Sequence, residues 1–440
     1  MASSSPQSLR GDLLAAYLAA GARVFAWAAV SRLVFGGGAH VAEFALLALI
    51  RSTIGVLNYT GVGLAPALVH FGSLVRHGAS AAEDRPQQLR RLYASALATA
   101  LWLAMVGLLI ACAYAIFFPH LHRVPTGLLR PASMAALLMA VGLVVRLMSD
   151  APSAWLQSSG HFRLDNLLLA GAELFWVLLT AALLRAGATP LPAAALGFAV
   201  SSLALLLARR LAAGQDPELR SLSATPADPK LSRGILAFGA LITLSQLADF
   251  LYAPINCILI NRMLPAADLA AYTLALQVDA ALLLLATGIG SAALPRAAAL
   301  FAKADSPALR RLYWQLTLLT LLMVALAALA AWLLAPWWLP LWLKADMPAG
   351  RAILPWVLIH TVIGASGAAG RAILIAAGRA RTLGLATLVA GAANVLLAFL
   401  LLRYTDLGLK GVALATIILV TARALAWMPW YVMRMTRTAP

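Results

Sequence analysis

The stretch YASALATALWLAMVGLLIACAYAIFF, Tyr93 to Phe118, contains no charged side chain. Wound as an α-helix, its 26 residues are longer than the roughly 20 needed to cross the hydrocarbon of a bilayer. Apolar runs of this kind recur along the whole chain, separated by short polar breaks. Of the 440 residues, 62% are hydrophobic and only 11% charged, against about 25% charged in soluble domains. A soluble core of this size could not hide so much apolar surface. The runs are rich in Leu and Ala and lack the period-two alternation of a transmembrane barrel. Backbone polar groups in lipid must then be satisfied within helices, so the sequence predicts an all-α integral membrane protein with about 12 spans.

The expected spans are Leu13–Phe35, Ala42–Val75, Tyr93–Phe118, Ala132–Pro152, Leu164–Leu184 and Pro192–Ala208 in the first half. The second half has Gly234–Ile260, Leu269–Ala299, Leu312–Ala335, Ile353–Ala377, Leu383–Leu402 and Gly411–Tyr431. The formal charge is +17, almost all of it Arg. The positive residues flank apolar segments instead of forming one patch, which argues for membrane orientation over nucleic-acid binding. One alternate set of loops holds Arg76, Arg85, Arg90, Arg91, Arg163, Arg209, Arg210, Arg220, Lys230 and Arg233. It continues with Arg296, Lys303, Arg310, Arg311, Arg379, Arg381, Arg434 and Arg437. The other set, Arg123, Arg130, Arg185, Arg262, Lys344, Arg351, Arg403 and Lys410, has roughly half as many. The richer set is expected to be cytoplasmic, with both termini inside. Trp337, Trp338 and Trp342 read as an aromatic anchor at the outer interface.

Cys112 and Cys257 both lie in apolar runs and form no CxxC, metal or disulfide pattern. The first apolar run is of full spanning length and leads into a second, so no cleavable signal peptide is expected. No GxxxxGK[ST] phosphate loop is present. With no room for a catalytic domain, a transporter without cofactor or metal is expected rather than an enzyme. The longest loop, Ala213–Ser232, carries Pro217, Pro226 and Pro229 and is expected to be a cytoplasmic linker. It would join a six-helix lobe at 1–212 to a second at 233–440.

The halves resemble each other at an offset of about 220 residues. Ser8-Leu-Arg-Gly11 echoes Leu231-Ser-Arg-Gly234, and Gly61-Val-Gly63 before Pro66 echoes Gly288-Ile-Gly290 before Pro295. Arg90-Arg-Leu-Tyr93 matches Arg310-Arg-Leu-Tyr313 throughout. Gly160-His-Phe-Arg163 echoes Gly378-Arg-Ala-Arg381, and Gly171-Ala falls near Gly391-Ala. With six spans per copy, the repeats enter the membrane in the same direction. Two parallel lobes around a central cavity follow, a transporter arrangement with the site between the halves.

Further residues carry a family resemblance. These are Phe44 through Gly61-Val-Gly-Leu-Ala-Pro-Ala67, the segment Asn256 to Tyr272 with Met263-Leu-Pro265, and Leu294-Pro-Arg296 with Asp305 and Leu309-Arg-Arg-Leu-Tyr313. Asp406-Leu-Gly408 before Gly411-Val-Ala-Leu-Ala-Thr416 completes the set. Over nearly the whole chain the sequence resembles the polysaccharide repeat-unit flippases, the Wzx or O-antigen type, of the multidrug/oligosaccharidyl-lipid/polysaccharide exporter superfamily. Asn256 departs from that family, which often has an acidic residue there. The resemblance implies a monomeric twelve-helix flippase of the bacterial inner membrane. It would carry undecaprenyl-pyrophosphate-linked oligosaccharide from the inner to the outer leaflet, beside membrane lipid and the glycosyltransferases and polymerase of a surface-polysaccharide pathway.

Charges at membrane depth are costly and mark sites by default. Arg23, Arg51, Arg146 and Arg371 are the candidate substrate contacts, because guanidinium groups stay charged and bind phosphate oxygens in pairs. For Arg23 and Arg51 the alternative is pairing with Asp249, Asp279 or backbone carbonyls. For Arg146 it is Asp150, four residues on. Arg371 could instead snorkel to the cytoplasmic surface. Under the repeat Arg23 falls on Gln246 and Arg51 beside Asp279. Asp249 and Asp279 are candidates for ion or proton coupling, or for ion pairs across the lobes. Asn58, Tyr59 and Gln246 are candidate polar lining, Glu43 and Glu173 are expected to be solvated, and His360 to be a satisfied polar residue.

Three rivals follow. A multidrug or organic-cation antiporter would have to admit cations among basic residues. A peptidoglycan-precursor flippase usually has two more helices than this chain can hold. A membrane glycosyltransferase needs acidic motifs or a large domain, and neither is found.

Overall fold

The computed structural model describes residues 6–54, 68, 71–72, 75, 85–219, 226–237, 250–302 and 305–438, and all regular structure among them is helical. Of the site candidates, Asn58, Tyr59, Gln246 and Asp249 lie outside the described residues. In the first half the elements are α1 (Pro6–Phe35), α2 (Val41–Ile54), α3 (Arg85–Leu121), α4 (Leu129–Met148), α5 (Asp150–Ser158), α6 (Phe162–Arg185) and α7 (Pro190–Gly214). The second half has α8 (Ala253–Met263), α9 (Ala266–Ala302), α10 (Ser306–Leu333), α11 (Ala335–Leu343), α12 (Pro348–Ser366) and α13 (Ala368–Ala376). It ends with α14 (Ala380–Tyr404), α15 (Leu409–Thr421), a π-helical turn (Ala422–Trp427) and α16 (Met428–Thr438). Among the described residues 10 helices are long and apolar enough to span a membrane. The second and seventh expected spans run through residues outside the description. The chain is an all-α membrane protein of about 12 spans.

Several expected spans differ in continuity. The fourth, read as one helix over Ala132–Pro152, runs from Leu129 to Ser158 and breaks at Ser149. Pro152 explains the break: its ring conflicts with the carbonyl four residues back, at Met148, and it has no N–H to donate. Ser149 closes the first segment through its N–H to Val145 O (3.2 Å) and Arg146 O (3.0 Å). The tenth span breaks at Gly367, between α12 and α13. The seventh, read as Gly234–Ile260, is helical over 229–237 and at Phe250, turns at Leu251 and Tyr252, and is helical again from Ala253, where Pro254 suits a first turn. In the twelfth, Pro429 displaces the bond to Leu425, and the helix passes through the π turn instead of ending at Tyr431.

Two compact units emerge, residues 1–34 with 50–246, and residues 35–49 with 247–440. This partition does not follow the expected linker at 213–232. Described residues on either side of 220–225 are tied back to unit 1: Trp155 Nε1 donates to Asp216 Oδ2 at 2.9 Å, and Asp228 N to Ser95 Oγ at 2.8 Å. Leu219 joins a buried cluster with Leu89, Tyr93 and Trp155.

Within unit 1, α4 meets α7 through small residues, Ala132, Ala135, Ala136 and Gly142 against Leu191, Ala194, Ala195 and Phe198. A Cβ on Gly142 would stand 2.8 Å from Phe198 Cδ1 and 2.9 Å from Ala199 Cα. Close backbone approach replaces hydrophobic drive as the glue between helices in lipid. The outward faces stay apolar: Leu109 is 72% and Ile116 69% exposed on α3. Water would penalise such a surface and acyl chains cover it.

Candidate functional site

The candidate site of unit 1 is built on three spans that contribute one arginine each. Arg51 closes the last turn of α2. Its guanidinium lies 4.0 Å from the ring centre of Trp27 and 5.9 Å from that of Trp176. The two indoles stack at 6.1 Å and 19°, and Trp176 Nε1 is anchored to Ala194 O at 2.8 Å. The ring faces stabilise the cation and leave its in-plane donors available. Nη1 of Arg51 is buried with no hydrogen-bond partner among the described residues.

Arg146, in the last turn of α4, ion-pairs with Glu173 of α6, Nη1 to Oε1 at 2.6 Å. Its Nε donates to Ser202 Oγ of α7 at 3.0 Å, and its guanidinium lies 4.4 Å from the Phe198 ring. Nη2 has no hydrogen-bond partner among the described residues. The expected Asp150 partner is not the one used, because the break at Ser149 interrupts the helical face that would have brought the two together. Glu173 is 3% exposed and not solvated as expected. It lies halfway along Phe162–Arg185, where a charge needs a partner. Glu43, also expected to be solvated, is half-buried and pairs with His40 Nδ1 at 3.0 Å.

Arg23 is exposed on α1, one turn from Trp27, and lies within electrostatic reach of both Arg51 and Arg146. The structure thus brings together Arg23, Arg51 and Arg146. Arg51 and Arg146 both lie within electrostatic reach of one carboxylate, Glu173, so the group of three guanidiniums and one carboxylate is net positive.

In unit 2, Thr361 Oγ1 donates to Asp279 Oδ1 at 2.6 Å, and His360 is close enough to Asp279 to interact electrostatically. Nε2 of His360 is buried with no hydrogen-bond partner among the described residues, so its polarity is not fully met there. Arg371 lies on α13 just past the break at Gly367, with its N–H bonded to Gly367 O at 3.0 Å. Asn256 sits in an uncharged buried network. It donates to Tyr272 OH (3.2 Å) and Thr416 Oγ1 (3.1 Å), while Asn394 donates to Asn256 Oδ1 (3.3 Å). An amide therefore satisfies the place where the resembled family often carries an acid.

The sequence reading passed over Trp27, Trp176, Ser202 and Arg423. The spacing of Trp27 from Arg23 was a usable signal, and so was Arg423 deep in the last span. Ser202 and Trp176 had none, since polar and aromatic residues in spans usually serve packing.

The model of a family described as polysaccharide biosynthesis protein matches residues 39–301, and one described as MatE matches 229–400. The chain is 25% identical over 406 residues to the uncharacterized membrane protein EpsK of Bacillus subtilis, covering 90% of this chain and 77% of that one. Among solved structures, it superposes with TM-score 0.83 on the inward-facing conformation of a multidrug resistance MATE family transporter of the MOP superfamily. That match has 15% identity and covers 95% of this chain and 96% of the other. An outward-facing MATE family transporter gives 0.66 at 15% identity, with 100% of each chain covered. At this identity the likeness concerns the fold.

Proposed function

The chain belongs to the polysaccharide biosynthesis protein family, and from that membership we propose that it flips undecaprenyl-pyrophosphate-linked oligosaccharide repeat units across the bacterial inner membrane by alternating access. The observation that carries this reading is the group of Arg51 and Arg146 at the carboxylate of Glu173, with Arg23 within electrostatic reach of both arginines. A diphosphate-linked lipid must bring its charge into a poorly solvated space. Arg51, stacked on Trp27, offers that charge a guanidinium edge, and Arg146 offers Nη2. Both units then act as the lobes of the cycle, with the termini on the cytoplasmic side. The protein acts as a monomer in the lipid bilayer beside polymerase and glycosyltransferases. Asp279, with Asp249, is the coupling carboxylate, poised by Thr361 and His360.

The second reading is a multidrug or organic-cation antiporter, favoured by the MatE match over 229–400 and by the MATE fold. The charge of unit 1 opposes it. A cationic ligand about 6 Å from one uncompensated guanidinium, at an effective dielectric near 20, meets about 3 kcal/mol of repulsion. Proteoliposomes decide between the two. Protein-dependent exposure of a labelled prenyl-diphosphate saccharide on the opposite leaflet, with no effect of ethidium, supports the flippase. Ethidium exchange for protons with no lipid movement overturns it.

A further inference from the structure

The last span of each half carries an arginine at the same place. Ala208-Arg209-Arg-Leu-Ala212 aligns with Ala422-Arg423-Ala-Leu-Ala426, and at the same offset Gly197 and Ser202 fall on Gly411 and Thr416. In unit 1 this arginine is neutralised. Arg209 is 6% exposed, and its Nε lies 2.8 Å from Asp165 Oδ1. Its Nη1 donates to Ser149 Oγ at 3.0 Å. The other carboxylate oxygen of Asp165 accepts from Ser153 Oγ (2.8 Å) and Gln157 Nε2 (2.9 Å).

The repeat, matched at its other motifs, removes that carboxylate from unit 2. Matching Gly160-His-Phe-Arg163 to Gly378-Arg-Ala-Arg381 puts Leu383 where Asp165 stands. Matching the breaks at Ser149 and Gly367 puts Arg371 where Ser153 stands. Unit 2 has kept the arginine, lost the acid and gained a second arginine.

The geometry of unit 2 agrees with an arginine that lacks its acid. Among the described residues no carboxylate forms an ion pair with Arg423, and its Nε is buried without a hydrogen-bond partner. One face of its guanidinium lies over Tyr252, 5.2 Å from the ring centre. A ring holds the face of a guanidinium, and its N–H donors point along the edge. Tyr252 is itself fixed at the start of α8, beside Leu251, whose carbonyl accepts from Asn394 Nδ2 at 3.1 Å. Arg423 sits in the π turn, a helical irregularity frequent at functional sites. The tenth and twelfth spans pack closely at this level: a Cβ on Gly367 would lie 3.6 Å from Ala424 Cβ, and one on Gly370 would collide with Met428. The contact at Gly370 lays α13, which carries Arg371, against the start of α16, directly after the π turn.

We propose that Arg423, with Arg371 on the neighbouring segment, forms an anion site in unit 2 that takes the diphosphate of a polyprenol-linked substrate. The inference rests on the transport reading above and adds a second point of recognition, distinct from the arginines of unit 1. The shared chemistry is a phosphate ester anion, which a phospholipid headgroup could also supply, so the test carries both sources.

The test uses the full-length protein in nanodiscs of zwitterionic lipid, with farnesyl diphosphate as probe and farnesol and phosphatidylglycerol in parallel. Binding is read calorimetrically for wild type, Arg423→Gln, Arg423→Lys, Leu383→Asp and Arg51→Gln. Arg423→Gln is expected to weaken farnesyl diphosphate binding about tenfold without changing farnesol binding, and Arg423→Lys to weaken it less. Leu383 packs against the buried cluster that contains Met428 and takes the place of Asp165 under the repeat, so Leu383→Asp is the substitution that restores the acid of unit 1. It should weaken binding as much as Arg423→Gln while leaving the melting temperature equal or higher, an outcome that a purely structural Arg423 would not give. Wild-type affinity in Arg423→Gln and Leu383→Asp, with weakened binding in Arg51→Gln, overturns the inference and leaves the transport reading standing. An effect of Arg423→Gln confined to phosphatidylglycerol, or to the melting temperature, also overturns it. Absence of farnesyl diphosphate binding to the wild type overturns both.

Discussion

Arg51→Ala and Arg146→Met should behave differently, although the two arginines belong to one group. Arg146 makes a 2.6 Å ion pair with Glu173 and a 3.0 Å hydrogen bond to Ser202. Its removal strands a carboxylate that is 3% exposed, a loss of about 3–5 kcal/mol when a buried pair is broken. Arg51 stands 4.0 Å from the Trp27 ring and has no ion pair among the described residues. Its removal should cost stability no more than about 2 kcal/mol, the scale of a desolvated cation–π contact. If Arg51 binds the diphosphate, the charge-assisted bonds it loses are worth about 1.5–3 kcal/mol. That is a fall of roughly 10- to 150-fold in substrate affinity. The assay pairs thermal unfolding in detergent with leaflet exposure of the labelled lipid in proteoliposomes. Arg146→Met should melt early, and Arg146→Met with Glu173→Gln should regain most of the loss. Arg51→Ala should melt close to wild type and not transport, and Arg51→Lys should restore transport in part. The reasoning fails if Arg51→Ala melts as early as Arg146→Met and Glu173→Gln restores both its stability and its transport. Arg51 would then be a structural counter-charge.

Three further outcomes are expected. Cysteines placed at Arg220 and Lys344 should label from opposite sides of the membrane, Arg220 from the cytoplasm; labelling from one side would break the span count. Asp279→Asn should abolish the dependence of transport on an imposed ion or proton gradient while the protein still folds, whereas Thr361→Val, which removes the 2.6 Å bond to Asp279, should cost about 1 kcal/mol of stability; gradient-dependent transport in Asp279→Asn would remove that residue from the coupling role. Gly142→Leu should cost about 1–3 kcal/mol by overpacking, because even a Cβ there meets Phe198 at 2.8 Å; unchanged thermal stability would show that α4 and α7 yield more readily than their spacing implies.

The apolar runs, the loop charges and the duplicated Arg-Arg-Leu-Tyr motif sufficed for an all-helical membrane chain of two related halves. These properties are averages over some 20 residues or local matches, and neither depends on what a helix touches. Charges inside spans were equally legible, because a guanidinium in hydrocarbon is costly wherever it points. That is why Arg23, Arg51 and Arg146 could be named before their surroundings were known.

Which charge meets which was not legible. Arg146 and Asp150 are four residues apart, yet Arg146 pairs with Glu173, 27 positions away. The fourth span breaks between them, and a neighbouring helix supplies the carboxylate instead. Arg209 and Arg423 occupy equivalent positions in the two repeats, one ion-paired and one stacked on Tyr252. Hydropathy and spacing describe one helix at a time. An ion pair in a membrane protein is set by the rotation and approach of two helices, and tertiary packing alone determines both.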